Sequence, residues 1–533
     1  MWELGIGVLQ ASREAGADSR AGRPRRPAVA VFSVSAVVVL VVLLARNSYV
    51  FTGPVHEDGD LALNSLLVRR AMHFQLLVGN YSRVGFHHPG PAFLYLLAAG
   101  QAVFYGLLHV VPAPYNGQVV GVLVFTAAIV GWIAVIIQRA TRSRLAAAAA
   151  VAIIFLFAAS HGMLADLWFP YLYLPVFVLL LVSGAALAGG RTAELPAFVL
   201  AGGFLVHGHV GFVMFVAVTA VAVAAGWAVS CRYRWAEHLR EHRRRLLLSL
   251  GLVGLFLLPL VLQTMLTYPG PWPDYLHYLR RPDTGTTPAA DALRFFSWYW
   301  SSAQLPLAVT CLAALGGAVL LLTDRVPARR GYFLGLYGLL ALESVLFAVY
   351  LIRGADLLIP LNRYIGYFYL SVPLLVVVAA AAQVAARARD FGRPVPVVLA
   401  AAVLVAVAFG ASAPRLQNPY RGFPYADAVT ALESNRHRGG QPVGLQLPHD
   451  SWPVVAGVVL EATRRAVPVC LVDPRWTNLF TAPYICPGQL PRRQLYVLRG
   501  GQVPAGAAVV WRSSWIVITE LPRASGWIAP RPA

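Results

Sequence analysis

Long apolar runs separated by short polar stretches dominate the chain. A bilayer core about 30 Å thick needs about 20 apolar residues in a helix. The first such run is Pro27 to Ala45, and it leads into Arg46 and a polar stretch. A signal peptide would have a shorter apolar part ending in small residues at a cleavage site, so this run reads as an uncleaved first span. Further spans are expected at Gly117 to Ile137, Leu145 to Leu164, Trp168 to Leu187, Leu246 to Leu266, Leu305 to Leu322, Tyr332 to Ile352, Tyr364 to Ala385 and Val395 to Phe409. The run Leu195 to Val229 is too long for one crossing and is interrupted at His207-Gly208-His209, so it divides into a fifth and a sixth span.

Pro91 to Val111 is long enough to cross but contains Gln101, Tyr105 and His109. Short cytosolic loops hold the arginines of a membrane protein. If Pro91 to Val111 crosses, the basic loop Gln138 to Arg144 falls outside and later loops invert. If it lies along the outer interface, the Arg-rich loops 139–144, 232–245, 325–330 and 387–393 all fall inside. The second arrangement gives a polytopic α-helical membrane protein of about eleven spans with a cytosolic N-terminus, expected in the plasma (cell inner) membrane.

Composition agrees. The 533 residues are 58% hydrophobic and 12% charged, against about a quarter charged in soluble proteins. All 43 basic residues are Arg, and with 23 acids the net charge is +20. Such a balance allows nucleic acid, anionic lipid or an acidic substrate as partner. Under the expected topology the cytosolic segments carry +13, the outer loops +1 and the segment after the last span +7. Most of the excess therefore orients the spans, and no nucleic-acid partner is expected.

From residue 411 the apolar runs shorten to strand length. Val443 to Leu447, the amphipathic Trp452 to Arg465, and Val467 to Val472 form a strand-helix-strand unit, and Tyr496 to Leu498, Ala508 to Trp511 and Trp515 to Ile518 read as strands. The expected organisation is a basic tail (1–27), a transmembrane domain (28–410) with a site-bearing outer loop (47–116), and a small extracytoplasmic α/β domain (411–533). Cys470 and Cys486 lie in that last domain, where an oxidising compartment would pair them; two buried free thiols are the alternative.

The loop after the first span carries the chemistry. It reads His56-Glu57-Asp58-Gly59-Asp60, then a helix to about Val78, then Gly79-Asn80-Tyr81-Ser82-Arg83-Val84-Gly85-Phe86-His87-His88-Pro89-Gly90-Pro91. Three acids in four residues above a membrane repel one another, which suggests a proton acceptor or a cationic partner; a solvated turn with a helix-capping Asp is the plain alternative. Arginine holds phosphate through bidentate charge-assisted bonds. The candidate binding side chains are Glu57, Arg69, Arg70, Tyr81, Arg83, His87 and His88, with His207 and His209 at the span break and Arg363 at the entrance to the tenth span.

The layout over residues 28–410 and the segment GDLALN…GNYSRVGFHHPGPAFLYLLA resemble the GT-C superfamily of glycosyltransferases, in a branch common in actinobacteria and related to mycobacterial arabinosyl and mannosyl transferases. The resemblance implies a polyprenyl-phosphate-linked sugar donor, an extracytoplasmic glycan or lipid acceptor in cell-envelope synthesis, and inverting transfer. It also implies a catalytic base in the first outer loop, Asp60 or Asp58, followed by two juxtamembrane helices, the second entered at His88-Pro89-Gly90-Pro91. His207 and His209 would bind donor phosphate, or hydrogen-bond the broken helix. A divalent ion near Asp58 and Asp60 has no ligand spacing such as HExxH to support it.

A transporter or flippase of a lipid-linked intermediate would need ionisable groups lining its spans. Only Glu343 lies deep in one, and it reads as neutral or hydrogen-bonded. Asp166 beside Trp168, and the outer loop Thr267 to Gln304 as a cap, complete the candidates.

Overall fold

The computed structural model describes residues 25–82, 85–160, 167–231, 235–280, 287–301, 307–353, 360–387, 425–435, 441–488, 494–499, 503–513 and 516–521. The chain divides into two compact units, residues 1–48 with 122–416 and residues 49–121 with 417–533.

In chain order, helix α1 (Arg25–Arg46) precedes α2 (Gly59–Met72) and α3 (Ala92–Gly100), which continues as a π turn over Gln101–Leu107. Next come α4 (Pro114–Thr141), α5 (Arg144–Ser160), α6 (Phe169–Ala188), α7 (Leu195–Gly208) and α8 (Phe212–Ser230). They are followed by α9 (Trp235–Glu241), α10 (Arg243–Leu266), α11 (Trp272–Arg280), α12 (Ala289–Trp300), α13 (Leu307–Thr323), α14 (Pro327–Arg353) and, after a 3₁₀ segment (Pro360–Leu370), α15 (Ser371–Arg387).

Seven helices are long and apolar enough to cross a membrane, and α5, α7 and α13 are shorter apolar helices in expected spans. The expected span at 395–409 lies outside the described residues. In α10, Leu247, Leu250, Leu255 and Leu258 are at least half exposed, and in α13 so are Leu312, Leu315 and Leu322. Such apolar surface is stable when lipid covers it. By contrast α6 is buried along almost its whole length, and its Phe177 packs edge-on to Phe215 and Phe368. The chain is a multi-pass membrane protein.

Glu343, buried within α14, accepts a hydrogen bond from the Thr219 hydroxyl. Arg139 on α4 forms an ion pair of 2.8 Å with Glu194, the residue that precedes α7.

In the second unit the 16 residues of α3 and its π turn form a short apolar helix outside the seven long ones. Glycine makes its packing possible: a Cβ on Gly100 would stand 2.7 Å from the Gly117 carbonyl oxygen and 2.8 Å from the Gly121 Cα. Helix α2 stops at Met72, not near Val78. Leu76, Leu77 and Val78 continue the apolar pattern, but Phe74 takes a left-handed φ of 56° and the Gln75 amide bonds the Arg70 carbonyl, which turns the chain.

The C-terminal part holds α16 (Ala426–Ser434), β1 (Val443–Gln446), α17 (Trp452–Arg464), β2 (Val469–Leu471), α18 (Thr477–Phe480), β3 (Gln494–Arg499), β4 (Ala508–Arg512) and β5 (Ile516–Glu520). The sheet runs β2-β1-β3-β5-β4, parallel over β2-β1-β3 and antiparallel beyond, with an irregularity between Val509 and Trp511. The expected strand-helix-strand unit is β1-α17-β2. Ala62, Leu63 and Leu66 of α2 enter the same core as Leu445, Val455, Val459, Leu495 and Ile518. Each fully buried leucine contributes about 1.5–3 kcal/mol, so the outer-loop helix is part of this domain's core. Cys470 and Cys486 form a disulfide.

Candidate active site

The loop from the first span to α2 is held from both ends. Asn116 donates to the carbonyls of Val50 at 2.7 Å and Gly53 at 2.9 Å, and its Oδ1 accepts from the Val55 amide at 3.1 Å. Two residues on, Glu57 is buried, and its Oε2 and Oε1 accept from Arg464 at 2.9 and 2.6 Å. Oε1 also accepts from the Ser65 hydroxyl at 2.9 Å, and Ser65 in turn meets Gln118 at 3.3 Å. Glu57, expected among the substrate-binding groups, thus has both carboxylate oxygens engaged within the fold. Neither Asn116 nor Arg464 carries any local sequence signal of these roles.

The two neighbouring aspartates differ. Asp58, not Asp60, caps α2; its backbone is extended, and its side chain makes no capping bond. Its carboxylate has no hydrogen-bond or ion-pair partner among the described residues, and burial raises its pKa to about 6. Asp60, in the first turn, accepts a hydrogen bond from the Tyr81 hydroxyl. One turn further on that face, Asn64 is 5% exposed and its Oδ1 has no partner among the described residues.

Tyr81 reaches Asp60 because the Gly79–His88 segment folds into a small hairpin. Tyr81 pairs with His87, the Gly79 amide bonds the His88 carbonyl at 2.9 Å, and Gly85 takes a φ of 89° at the tip. Tyr81 also meets Trp452 edge-on, 6.2 Å between centroids, and Asn478 bonds the Ser82 carbonyl at 3.1 Å. His87 donates through Nδ1 to the Gly79 carbonyl at 3.1 Å. Burial lowers its pKa, the Gly79 bond opposes that, and the Arg70 charge lowers it further. His88 is buried. Arg83 lies outside the described residues.

Arg69 and Arg70 sit in the last turn of α2. At 1.5 Å per residue they lie about 15 Å along the axis from Asp60, so helix geometry separates them from the acids they follow in sequence. Arg70 donates to the Gln75 carbonyl at 3.2 Å.

In the other unit, His207 donates through Nε2 to the Phe256 carbonyl at 2.7 Å, His209 accepts from the Gly211 amide at 3.0 Å, and Tyr173 donates to the Gly208 carbonyl at 2.6 Å. His209 and Tyr173 satisfy backbone at the break between α7 and α8, while His207 reaches across to the backbone of α10. Arg363 is half-buried with its guanidinium 4.7 Å from the Trp298 ring centroid and has no acid partner among the described residues. Trp168 packs on Tyr171 and Tyr364, while Asp166 lies outside the described residues. Among the described residues no three His, Cys, Asp or Glu side chains gather as metal ligands.

No protein-family model and no curated protein matches the chain. Solved structures share its fold. The crystal structure of ArnT from Cupriavidus metallidurans bound to undecaprenyl phosphate is similar over 93% of this chain and 98% of its own, with 14% identity and a TM-score of 0.52. The apo form of the same protein gives 92%, 97%, 14% and 0.51. The chain therefore has the fold of these ArnT structures.

Proposed function

We propose that this protein is a glycosyltransferase that moves a sugar from a polyprenyl-phosphate donor to a cell-envelope glycan, lipid or protein acceptor on the extracytoplasmic face, with Asp58 as general base. The observation that carries this reading is the half-buried Asp58 carboxylate in the loop directly after the first span, which has no partner among the described residues and whose pKa burial raises to about 6. A base with a pKa close to working pH is ionised and still accepts a proton well. The fold shared with a protein that binds undecaprenyl phosphate supports the donor class.

In the proposed step Asp58 takes the proton of an acceptor hydroxyl as its oxygen attacks the anomeric carbon. The bond from that carbon to the phosphate oxygen breaks, and the polyprenyl phosphate leaves with the electron pair. Attack opposite the leaving group inverts the anomeric configuration. Residues 411–533 are the proposed acceptor-holding domain, with the N-terminus cytosolic.

The test is turnover of polyprenyl-phosphate sugars by Asp58→Asn and Asp60→Asn. Loss of at least about 100-fold in Asp58→Asn is expected. Full activity in both variants would overturn the assignment.

A further inference from the structure

Helix α17 meets the acid loop at two points and the hairpin beside it at a third. At its start Trp452 meets Tyr81, the residue that holds Asp60. In its middle, Gly457 lies against the Glu57 backbone: a Cβ there would stand 2.9 Å from the Glu57 carbonyl oxygen and 2.2 Å from the Tyr425 ring. At its end Arg464 grips the Glu57 carboxylate with two nitrogens, and the Glu57 side chain is 1% exposed. Asp58, the next residue, has no side-chain partner among the described residues, so within them its carboxylate is aimed by its backbone. A bidentate charge-assisted pair fixes geometry as well as energy, and Lys cannot reproduce that fork.

We infer that Arg464 is a positioning residue for the acid loop: by clamping Glu57 it fixes the backbone from which the Asp58 carboxylate projects. The inference rests on the reading of Asp58 as the base. The C-terminal domain is then a working part of the site, beyond any role in holding acceptor. The other charged and titratable groups bearing on the clamp are Glu461, on the same helix, and Tyr105, on the π turn.

The full-length protein in nanodiscs tests this with Arg464→Met, Arg464→Lys, Glu57→Gln and the Glu57→Gln/Arg464→Met double variant. Hydrogen exchange of residues 54–60 is expected to quicken by about 10-fold or more in Arg464→Met and by less in Arg464→Lys, while β1 and β3 keep wild-type protection. Exchange at wild-type rates in both would overturn the inference.

A second readout separates positioning from general loosening. Modification of Asp58 by a carbodiimide, followed by mass spectrometry against pH, reports its titration. In Arg464→Met, in Glu57→Gln and in the double variant the released loop exposes Asp58, so the burial that raises its pKa is lost and the midpoint falls from about 6 towards the ordinary 3.8. One midpoint in all four proteins would equally overturn the inference. Neither readout needs a sugar substrate. Turnover tests the underlying reading separately: if Asp58→Asn stays active while exchange and labelling respond as expected, the base assignment fails and the clamp stands. If Asp58→Asn is inactive while Arg464→Met keeps wild-type kcat, exchange and labelling, the clamp fails and the base assignment stands.

Discussion

The phenol of Tyr81 donates a hydrogen bond to the Asp60 carboxylate, whereas Asp58, two residues earlier, has no such partner. The bond gives the two acids different chemistry. Tyr81→Phe removes this bond to Asp60 without touching Asp58, so turnover is expected to fall by no more than about 10-fold, well short of the loss on removing the base. Steady-state kinetics of Tyr81→Phe beside Asp58→Asn measure the gap, and equal losses would remove the distinction.

The raised Asp58 pKa sets the pH profile. A base must be ionised, so kcat is expected to rise about tenfold per pH unit below about pH 6 and to level above it. The same shift has a stability sign. The folded-state pKa lies above the ordinary value of 3.8, so ionised Asp58 destabilises the fold above about pH 6, and the penalty disappears below 3.8. Asp58→Asn is therefore expected to raise Tm at pH 8 and to leave it unchanged near pH 3.5, as thermal scans at the two pH values would show.

The disulfide Cys470–Cys486 closes the segment that contains Trp476, Asn478 and Phe480, and Asn478 reaches back to the Ser82 carbonyl in the Tyr81 hairpin. In the loop-closure picture a cross-link over about 15 residues contributes about 3 kcal/mol. Denatured, unreduced protein is expected to alkylate at two thiols, Cys231 and Cys311, and at four after reduction. Reductant should lower Tm in the wild type and not in Cys470→Ser/Cys486→Ser.

Asn116 closes the other end of the acid loop with three bonds. Asn116→Ala leaves the buried Val55 amide unsatisfied and is expected to cost about 1–3 kcal/mol locally. Faster hydrogen exchange over residues 50–57, with β1 unaffected, would show it.

Elements built from local pattern were legible in the sequence. The apolar runs located the long spans, because 20 apolar residues have few other uses, and the β1-α17-β2 unit followed from strand-length runs flanking an amphipathic helix. The acid loop was legible as a candidate site from composition alone. Its internal assignment was not. Asp58-Gly59-Asp60 offers two capping carboxylates, and the Tyr81 bond that tells them apart needs a hairpin whose pairing no short-range pattern gives. Arg464 looks like an ordinary cation at a helix C-terminus, and Asn116 like a polar residue at the start of a span. Their partners lie 407 and 61 to 66 residues away, beyond the reach of any periodicity. Arg69 and Arg70 show the opposite relation: nearness in sequence to the acids becomes about 15 Å along the axis once the helix forms.

The separation between Glu57 and Arg464 also sets an order of events in biosynthesis. The acid loop leaves the ribosome early, yet the guanidinium that clamps it is made 407 residues later, and every span between them must be inserted first. A chain interrupted before Arg464 can carry both aspartates and lack the clamp. The loop therefore gains this contact only after residue 464 has been made.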